Sequence, residues 1–157
     1  MTGSPLTLIA TVSAATVGGA YLVFSTMVMP ALDRLGPDRA ASAMRAVNTA
    51  AERPPFLALF FGSALAAGAV VSVDVAALAS TEASDDGLRG ARIAGAGLVL
   101  LGFITTLVRN VPLNRALDLT RRDGAWHRYR GPWVRANSIR AVASIAGAAL
   151  LMLGSTP

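Results

Sequence analysis

The chain has 157 residues, 54% of them hydrophobic and 15% charged, and its mean hydropathy is +0.54. This composition excludes an ordinary soluble domain and predicts a single integral membrane domain over residues 1–157. The formal net charge is +5, and every basic side chain is an arginine. Arginine at the cytoplasmic ends of membrane helices accounts for this charge, so we expect no nucleic-acid partner. The lack of cysteine in the sequence excludes disulfides, thiolate catalysis and thiolate metal sites.

Four apolar stretches predict an all-α bundle of four transmembrane helices. They cover residues 6–29, 56–79, 91–108 and 134–154. A spanning helix needs about 20 apolar residues, so the fourth must begin near Trp133 and include polar residues that face the bundle interior or the interface. Small residues four positions apart predict close helix packing. These pairs are Ala14/Gly18, Ala15/Gly19, Gly62/Ala66, Ala91/Gly95 and Ser144/Ala148.

The arginines are unevenly divided among the loops. Four lie between the first and second stretches, eight between the end of the third stretch and residue 140 in the first part of the fourth, and two in the remaining loop. The positive-inside rule therefore predicts a multi-pass plasma-membrane protein with both long loops cytoplasmic and both termini outside. The first stretch is not preceded by basic residues, and it is longer than the apolar region of a signal peptide. We therefore expect it to span the membrane. The lipid bilayer is the expected partner, and the sequence is compatible with a homo-oligomer.

The first cytoplasmic loop is predicted to contain a short amphipathic helix. Pro30 predicts the end of the first spanning helix, because proline lacks an N–H group and restricts the preceding residue. A new helix begins at Pro37 and places Ala40 and Met44 on one face. The pair Pro54–Pro55 ends it before the second span. Such a helix requires only an interface, so its pattern alone indicates no chemistry.

The second cytoplasmic loop begins with RNVPLNRAL, where the third apolar stretch ends. Pro112 predicts an interrupted helical segment. We expect Asn110 to cap the new turn by accepting the N–H of Leu113, and Asn114 to point either to water or into the bundle. VMPALDRL, which follows the first span, is faintly similar to NVPLNRAL. A duplicated helix pair would place the two loops on one face of the membrane.

Aromatic rings follow among arginines, at Trp126, Tyr129 and Trp133. This composition is typical of an aromatic belt at the membrane interface, and the alternative is that the rings line a pocket.

Asp74 is the acid within a predicted span. Its distance from the start of that span predicts a residue at the outer interface and not a proton relay.

Four segments in chain order, FSTMVMPALDRL, AMRAVNTAAERPPF, VPLNRAL and WHRYRGPWVRANSIRAVAS, carry a resemblance that covers nearly the whole chain. They resemble a family of four-helix bacterial membrane proteins of unknown function that is grouped with the fungal anthrone oxygenases. Many relatives have a histidine where this chain has Ser138, which puts in doubt any activity that used that imidazole. The resemblance implies that the family pattern falls on Val111, Pro112, Leu113, Asn114, Trp126, Trp133, Asn137 and Arg140.

The residues themselves support few kinds of chemistry. One histidine and scattered carboxylates argue against a di-iron or haem centre, so we expect no metal and no cofactor. Cofactor-independent oxygenation of an anthrone- or quinol-like aromatic remains open, because such a substrate needs only deprotonation and shielding. His127 is the candidate catalytic base, since imidazole is the side chain that titrates near neutral pH.

The candidate ligand-binding residues are polar and aromatic side chains near the cytoplasmic helix ends. In an oxygenase they would donate hydrogen bonds to a developing oxyanion. In the alternative, a non-enzymatic bundle, they form a cluster that binds a lipophilic molecule or a partner membrane protein. The candidates are Asn48, Arg109, Asn110, Asn114, Trp126, Trp133, Asn137 and Arg140.

Overall fold

The computed structural model describes residues 4–78, 86–120 and 124–155, and all regular structure within these ranges is helical. The helices are α1 (Pro5–Val23), α2 (Met29–Asp33), α3 (Pro37–Ala51), α4 (Pro54–Leu78), α5 (Asp86–Thr105), α6 (Val111–Leu119) and α7 (Ala125–Leu153), with π-helical turns at Phe24–Val28 and Thr106–Asn110. The predicted all-α, four-span architecture is confirmed. Four helical runs are long and apolar enough to cross a membrane, namely Pro5–Asp33, Pro54–Leu78, Gly87–Leu119 and Ala125–Leu153.

The first and third spans continue through their prolines. The prediction that Pro30 ends the first helix is wrong, and the predicted interruption at Pro112 takes the form of a π-helical turn. In that turn the N–H of Val111 bonds to the carbonyl oxygen of Thr106. The wider turn accommodates the lost hydrogen bond and the bulk of the proline ring, which would disrupt a regular α-helix. The two similar sequence segments share this arrangement.

The four spans form a ring in which each packs against two neighbours. α1 packs against α4 and α7, and α5 packs against the same two helices. A Cβ added to Gly95 would lie 2.7 Å from the carbonyl oxygen of Gly147, and one added to Gly18 would lie 2.9 Å from an α7 side chain. Gly19 and Gly62 have no such neighbour within 4 Å. Of the four glycines in the small-residue pairs, Gly18 and Gly95 therefore mark close helix contacts, whereas Gly19 and Gly62 do not.

α3 lies across one end of the bundle as the predicted amphipathic helix. Its buried residues, including Ala40 and Met44, pack in one cluster with Trp126, Tyr129 and Trp133 of α7. The fourth span begins at residue 125 and not near 134, which brings these rings inside the protein. All three are at most 4% exposed. The prediction of a lipid-facing aromatic belt is therefore wrong.

Arg45 fastens α3 to the end of α6. Its Nε donates to the carbonyl oxygen of Leu117 at 3.1 Å, and its Nη2 donates to that of Thr120 at 2.9 Å. The last carbonyl groups of a helix have no partner within the helix, so a guanidinium fork at this position satisfies two of them. α3 and α6 thus form one wall at this end of the bundle.

The opposite end of the bundle is closed by an ion pair. The carboxylate of Asp74 accepts from Nη2 of Arg92 at 2.6 Å and from Nε at 2.9 Å, and Nη1 of Arg92 donates to the carbonyl oxygen of Gly154 at 2.8 Å. Asp74 lies near the end of α4, as expected, and its side chain is buried in this ion pair. This geometry joins α4, α5 and the end of α7.

Candidate functional site

A cavity of about 440 Å³ opens at the α3 end of the bundle. It lies between the end of α1 with the first π-helical turn, α3, the start of α4, the second π-helical turn with α6, and α7. Apolar side chains form most of its wall, and its volume is typical of pockets for small organic molecules. The lining residues are Ala20, Tyr21, Phe24, Met44, Val47, Asn48, Ala50, Ala51, Glu52, Phe56, Leu57, Phe60, Thr106, Asn110, Val111, Asn114, Arg115, Asp118, Trp133, Asn137 and Arg140.

Asn137 on α7 organises the polar part of the cavity wall. Its amide nitrogen donates to the carbonyl oxygen of Tyr21 and to the hydroxyl of Ser25, both at 2.7 Å. Its amide oxygen accepts from Nη2 of Arg140 at 2.5 Å. Because both amide hydrogens are used in contacts with the first span, Asn137 holds α7 against that span and also orients Arg140.

Arg140 is a buried cation held by neutral groups. Its Nη1 donates to the hydroxyl of Thr106 at 3.0 Å, and its guanidinium carbon lies 4.0 Å from the centre of the Tyr21 ring and 5.8 Å from that of Trp133. Arginine over an aromatic face gains a cation–π attraction that offsets part of its desolvation. The ion pairs found among the described residues involve other arginines. Arg140 therefore carries its charge at the cavity wall without a carboxylate.

Asn114 fixes two of the aromatic rings. Its amide oxygen accepts from the hydroxyl of Tyr129 and from Nε1 of Trp133, each at 2.9 Å. A buried Trp or Tyr needs a partner for its polar atom, and one amide oxygen can accept two hydrogen bonds. Of the two alternatives for Asn114, the structure places it towards the bundle, where it holds Trp133 as a wall of the cavity.

Asn110 and Asn48 contribute polar atoms with no hydrogen-bond partner among the described residues. Asn110 is 1% exposed, and neither its amide nitrogen nor its amide oxygen makes a hydrogen bond. The amide nitrogen of Asn48 and Nε of Arg140 are likewise buried without a partner. Buried polar groups are nearly always satisfied by protein, water or ligand. Three side chains that line one cavity thus have unpartnered donors, and one of them also has an unpartnered acceptor.

The predicted capping role of Asn110 is wrong. Its backbone is helical, at φ −73° and ψ −41°, and its side chain makes no capping hydrogen bond. Since the helix continues through Pro112, no free N–H groups are available there for a cap to satisfy. The side chain instead faces the cavity.

Three predicted candidates lie outside the cavity wall. Arg109 and His127 are exposed, and Trp126 is buried elsewhere, where its Nε1 donates to a carboxylate oxygen of Asp33 at 2.7 Å. Ser138, at the position of the family histidine, lies 3.1 Å from the hydroxyl of Ser25 and does not line the cavity either. The cavity therefore brings together Asn48, Asn110, Asn114, Trp133, Asn137 and Arg140 from the predicted set.

Three polar residues of the site that lie within apolar stretches were not predicted, and neither were the exposed Glu52, Arg115 and Asp118 of the cavity wall. Tyr21, Ser25 and Thr106 lie within apolar stretches, where an isolated hydroxyl usually bonds to its own helix backbone. Ser25 and Thr106 both belong to π-helical turns that precede a proline. Ser25 lies five residues before Pro30 and Thr106 six residues before Pro112, so proximity to a proline within an apolar stretch is the sequence signal that marks them. Within the described residues, no group of three or more His, Cys, Asp or Glu side chains is placed to hold a metal ion.

A family model described as anthrone oxygenase matches residues 56–150, which is more than half of the chain. No curated protein and no solved structure matches it. The matched region includes Asn110, Asn114, Trp133, Asn137 and Arg140, whereas the first-span and α3 contributions to the cavity precede it. From this match, and in agreement with its four apolar helices, the chain belongs to the anthrone oxygenase family.

Proposed function

We propose that this protein is a membrane oxygenase that binds a lipophilic aromatic molecule of the anthrone or quinol class in the cavity and oxygenates it without a metal or cofactor. One observation carries the proposal: a largely apolar cavity whose wall holds buried, unpartnered polar atoms of Asn48, Asn110 and Arg140. An apolar pocket with a few convergent polar groups suits a ring system with oxygen substituents. Membership of the family supports the reaction class.

The reaction is balanced without an outside reductant. The methylene carbon of an anthrone becomes a carbonyl, one atom of O₂ enters the product, and the other leaves as water with the two methylene hydrogens. The proton that leaves first needs a base at the cavity. Glu52 and Asp118 line the cavity and are exposed, so these carboxylates can exchange protons with solvent. We assign the role of base to these carboxylates and not to His127, which is exposed and does not line the cavity.

The position of the cavity fits a substrate dissolved in lipid. It lies at the end of the bundle where the arginine-rich loops are, and this excess of arginine supports a cytoplasmic position in the plasma membrane, with both termini outside. The start of α4 contributes Phe56, Leu57 and Phe60 to the wall. A lipophilic aromatic would enter from the inner leaflet while its polar edge meets the asparagines and Arg140.

Oxygen uptake by the purified protein in mild detergent tests the proposal, with anthrone as the probe and empty micelles as the control for spontaneous oxidation. We expect one O₂ consumed and one anthraquinone formed per anthrone. Val47→Trp should abolish this uptake, because Val47 lines the cavity and a large ring would fill it. Ala46→Trp is the matched control, since Ala46 is exposed on the same helix and outside the wall.

The non-enzymatic alternative has its own signature in this experiment. The hydrogen bonds of Asn137 and Asn114 to other helices would serve a binding bundle equally well. Anthrone binding that Val47→Trp removes, combined with oxygen uptake no faster than in empty micelles, would reject the oxygenase and leave a lipophilic-ligand or partner-binding protein.

A further inference from the structure

Arg140 has no anionic partner among the residues that the structure describes. The side chain is 6% exposed, two of its three nitrogens donate to neutral oxygens, and its Nε has no partner. A charged group within a membrane span is costly unless it is paired or reaches water, and such residues face a functional cavity. Tyr21 and Trp133 contact the guanidinium through their ring faces, which leaves the N–H of Nε without an acceptor. The unpaired charge and the free donor lie on the same wall of the cavity.

The other ionisable side chains of the cavity do not neutralise Arg140. Glu52, Arg115 and Asp118 line the cavity but are exposed, and Tyr21 contacts the guanidinium through its ring. Neither carboxylate is paired with Arg140 in the structure. Solvated carboxylates at an exposed position interact only weakly with a buried charge across a cavity. The place beside Nε is therefore left for an oxygen of the ligand.

Asn110 adds a second and different requirement. Its amide nitrogen and amide oxygen are both free, so this side chain binds a neutral group that can accept or donate. The ring of Trp133, fixed by Asn114, and the stacked pair Phe56 and Phe60 offer flat apolar surfaces around these polar groups. The wall thus combines one site for an anion, one for a neutral oxygen substituent and faces for an aromatic ring.

We infer that Arg140 binds the ligand as an enolate: the ionised oxygen of a deprotonated, hydroxylated aromatic ketone accepts from Nε, while Asn110 bonds a neighbouring hydroxyl or carbonyl. This inference rests on the proposed function for the class of ligand. In the step concerned, a C–H bond of the methylene carbon breaks, the proton passes to Glu52 or Asp118, and the electron pair enters the ring system. No atom is oxidised in that step, and Arg140 stabilises the charge on oxygen.

Anaerobic absorbance spectroscopy of bound anthrone tests the inference, because the enolate and the neutral ketone absorb differently. At a fixed pH, we expect the ratio of ionised to neutral anthrone to be at least about tenfold higher on the protein than in empty micelles, as for an acid beside an opposite charge. Arg140→Gln should return the ratio to the micelle value, and Arg140→Lys should keep part of the increase. Asn110→Leu should weaken binding without changing the ratio, which separates loss of the neutral contact from loss of the charge.

A comparison of ligands on the unaltered protein avoids any effect of substitution on folding. Anthrone dimethylated at its methylene carbon cannot form the enolate. At a pH above the pKa of free anthrone, where anthrone itself is ionised, we expect the dimethylated ketone to bind at least about tenfold more weakly despite its greater apolar area. Equal binding of the two ketones would overturn the inference. Displacement of neutral anthrone from the protein by phosphatidylglycerol would also overturn the inference, because it would show that a lipid phosphate is the partner of Arg140.

These measurements separate the two proposals. They are made without O₂, so an ionised, Arg140-dependent anthrone complex supports the inference even where oxygen uptake is absent. Conversely, rapid oxygen uptake by a protein that binds anthrone only as the neutral ketone would support the oxygenase and reject the role of Arg140.

Discussion

Substitution by leucine should have different effects on stability at two buried asparagines, Asn137 and Asn110. Leucine has nearly the shape of asparagine but no polar atoms. Asn137→Leu removes three hydrogen bonds, one of them from a guanidinium, and leaves Arg140 without one of its two partners. Asn110→Leu removes no hydrogen bond, because both amide atoms of Asn110 are unpartnered and the residue is 1% exposed.

The magnitudes follow from the bonds that are lost. Interhelical hydrogen bonds in membrane proteins average about 0.6 kcal/mol, whereas hydrogen bonds to charged groups contribute about 1.5–3 kcal/mol. We therefore expect Asn137→Leu to lower the free energy of unfolding by about 2–4 kcal/mol. Replacing an unsatisfied buried amide by an apolar group of the same shape is neutral or stabilising, so Asn110→Leu should leave this free energy unchanged or raise it by about 1 kcal/mol.

Equilibrium unfolding in mixed micelles of mild detergent and dodecyl sulfate, followed by tryptophan fluorescence, measures both free energies. Anthrone binding is measured on the same preparations. Asn110→Leu should be stable and deficient in binding, whereas Asn137→Leu should lose stability and binding together. Equal destabilisation by the two substitutions would refute the reasoning, since it would mean that Asn110 also holds the bundle together.

Two further substitutions test the packing and the opposite end of the bundle. Gly95→Ala should destabilise the protein by about 1–3 kcal/mol, because the new Cβ would meet a backbone carbonyl oxygen of α7 at 2.7 Å, whereas Gly97→Ala, with no neighbour within 4 Å, should be neutral or stabilising in the same unfolding assay. Asp74→Leu should cost about 1–3 kcal/mol by leaving Arg92 without its carboxylate, and the additional change Arg92→Met should recover part of that loss while anthrone binding stays unchanged throughout. A Gly95→Ala protein as stable as Gly97→Ala, or a double variant less stable than Asp74→Leu alone, would contradict these assignments.

Much of the architecture follows from properties that are local in the sequence. Apolar length determines how many helices can span a membrane, and it predicted four spans correctly. The spacing of apolar residues by three and four positions after Pro37 predicted α3, because a helix at an interface needs one apolar face. Six of the eight candidate residues at the helix ends line one cavity, and their role in binding a ligand stays a prediction.

The use of each polar side chain was decided by tertiary structure. Asn137 meets the backbone of Tyr21, 116 positions away in the chain, and Asn114 meets the rings of Tyr129 and Trp133. No local pattern specifies such partners, because they depend on which helices become neighbours. The same limit applies to Asp74, whose position near a helix end was predictable but whose burial with Arg92 was not.

The prolines show how a local property of the sequence and the packing of the folded bundle lead to different outcomes. A proline in a sequence indicates a missing N–H and a bulky ring, and both properties favour a helix end. In the folded bundle, π-helical turns before Pro30 and Pro112 let each span continue, because packing of the whole span stabilises a wider turn that isolated helix preferences disfavour. The sequence by itself determined the class of protein, the number of spans and the residue types available at one end of the bundle. Only the tertiary structure decided that these helices stay continuous and that Asn110 and Arg140 face a common cavity with polar atoms free, since both outcomes depend on contacts between distant parts of the chain.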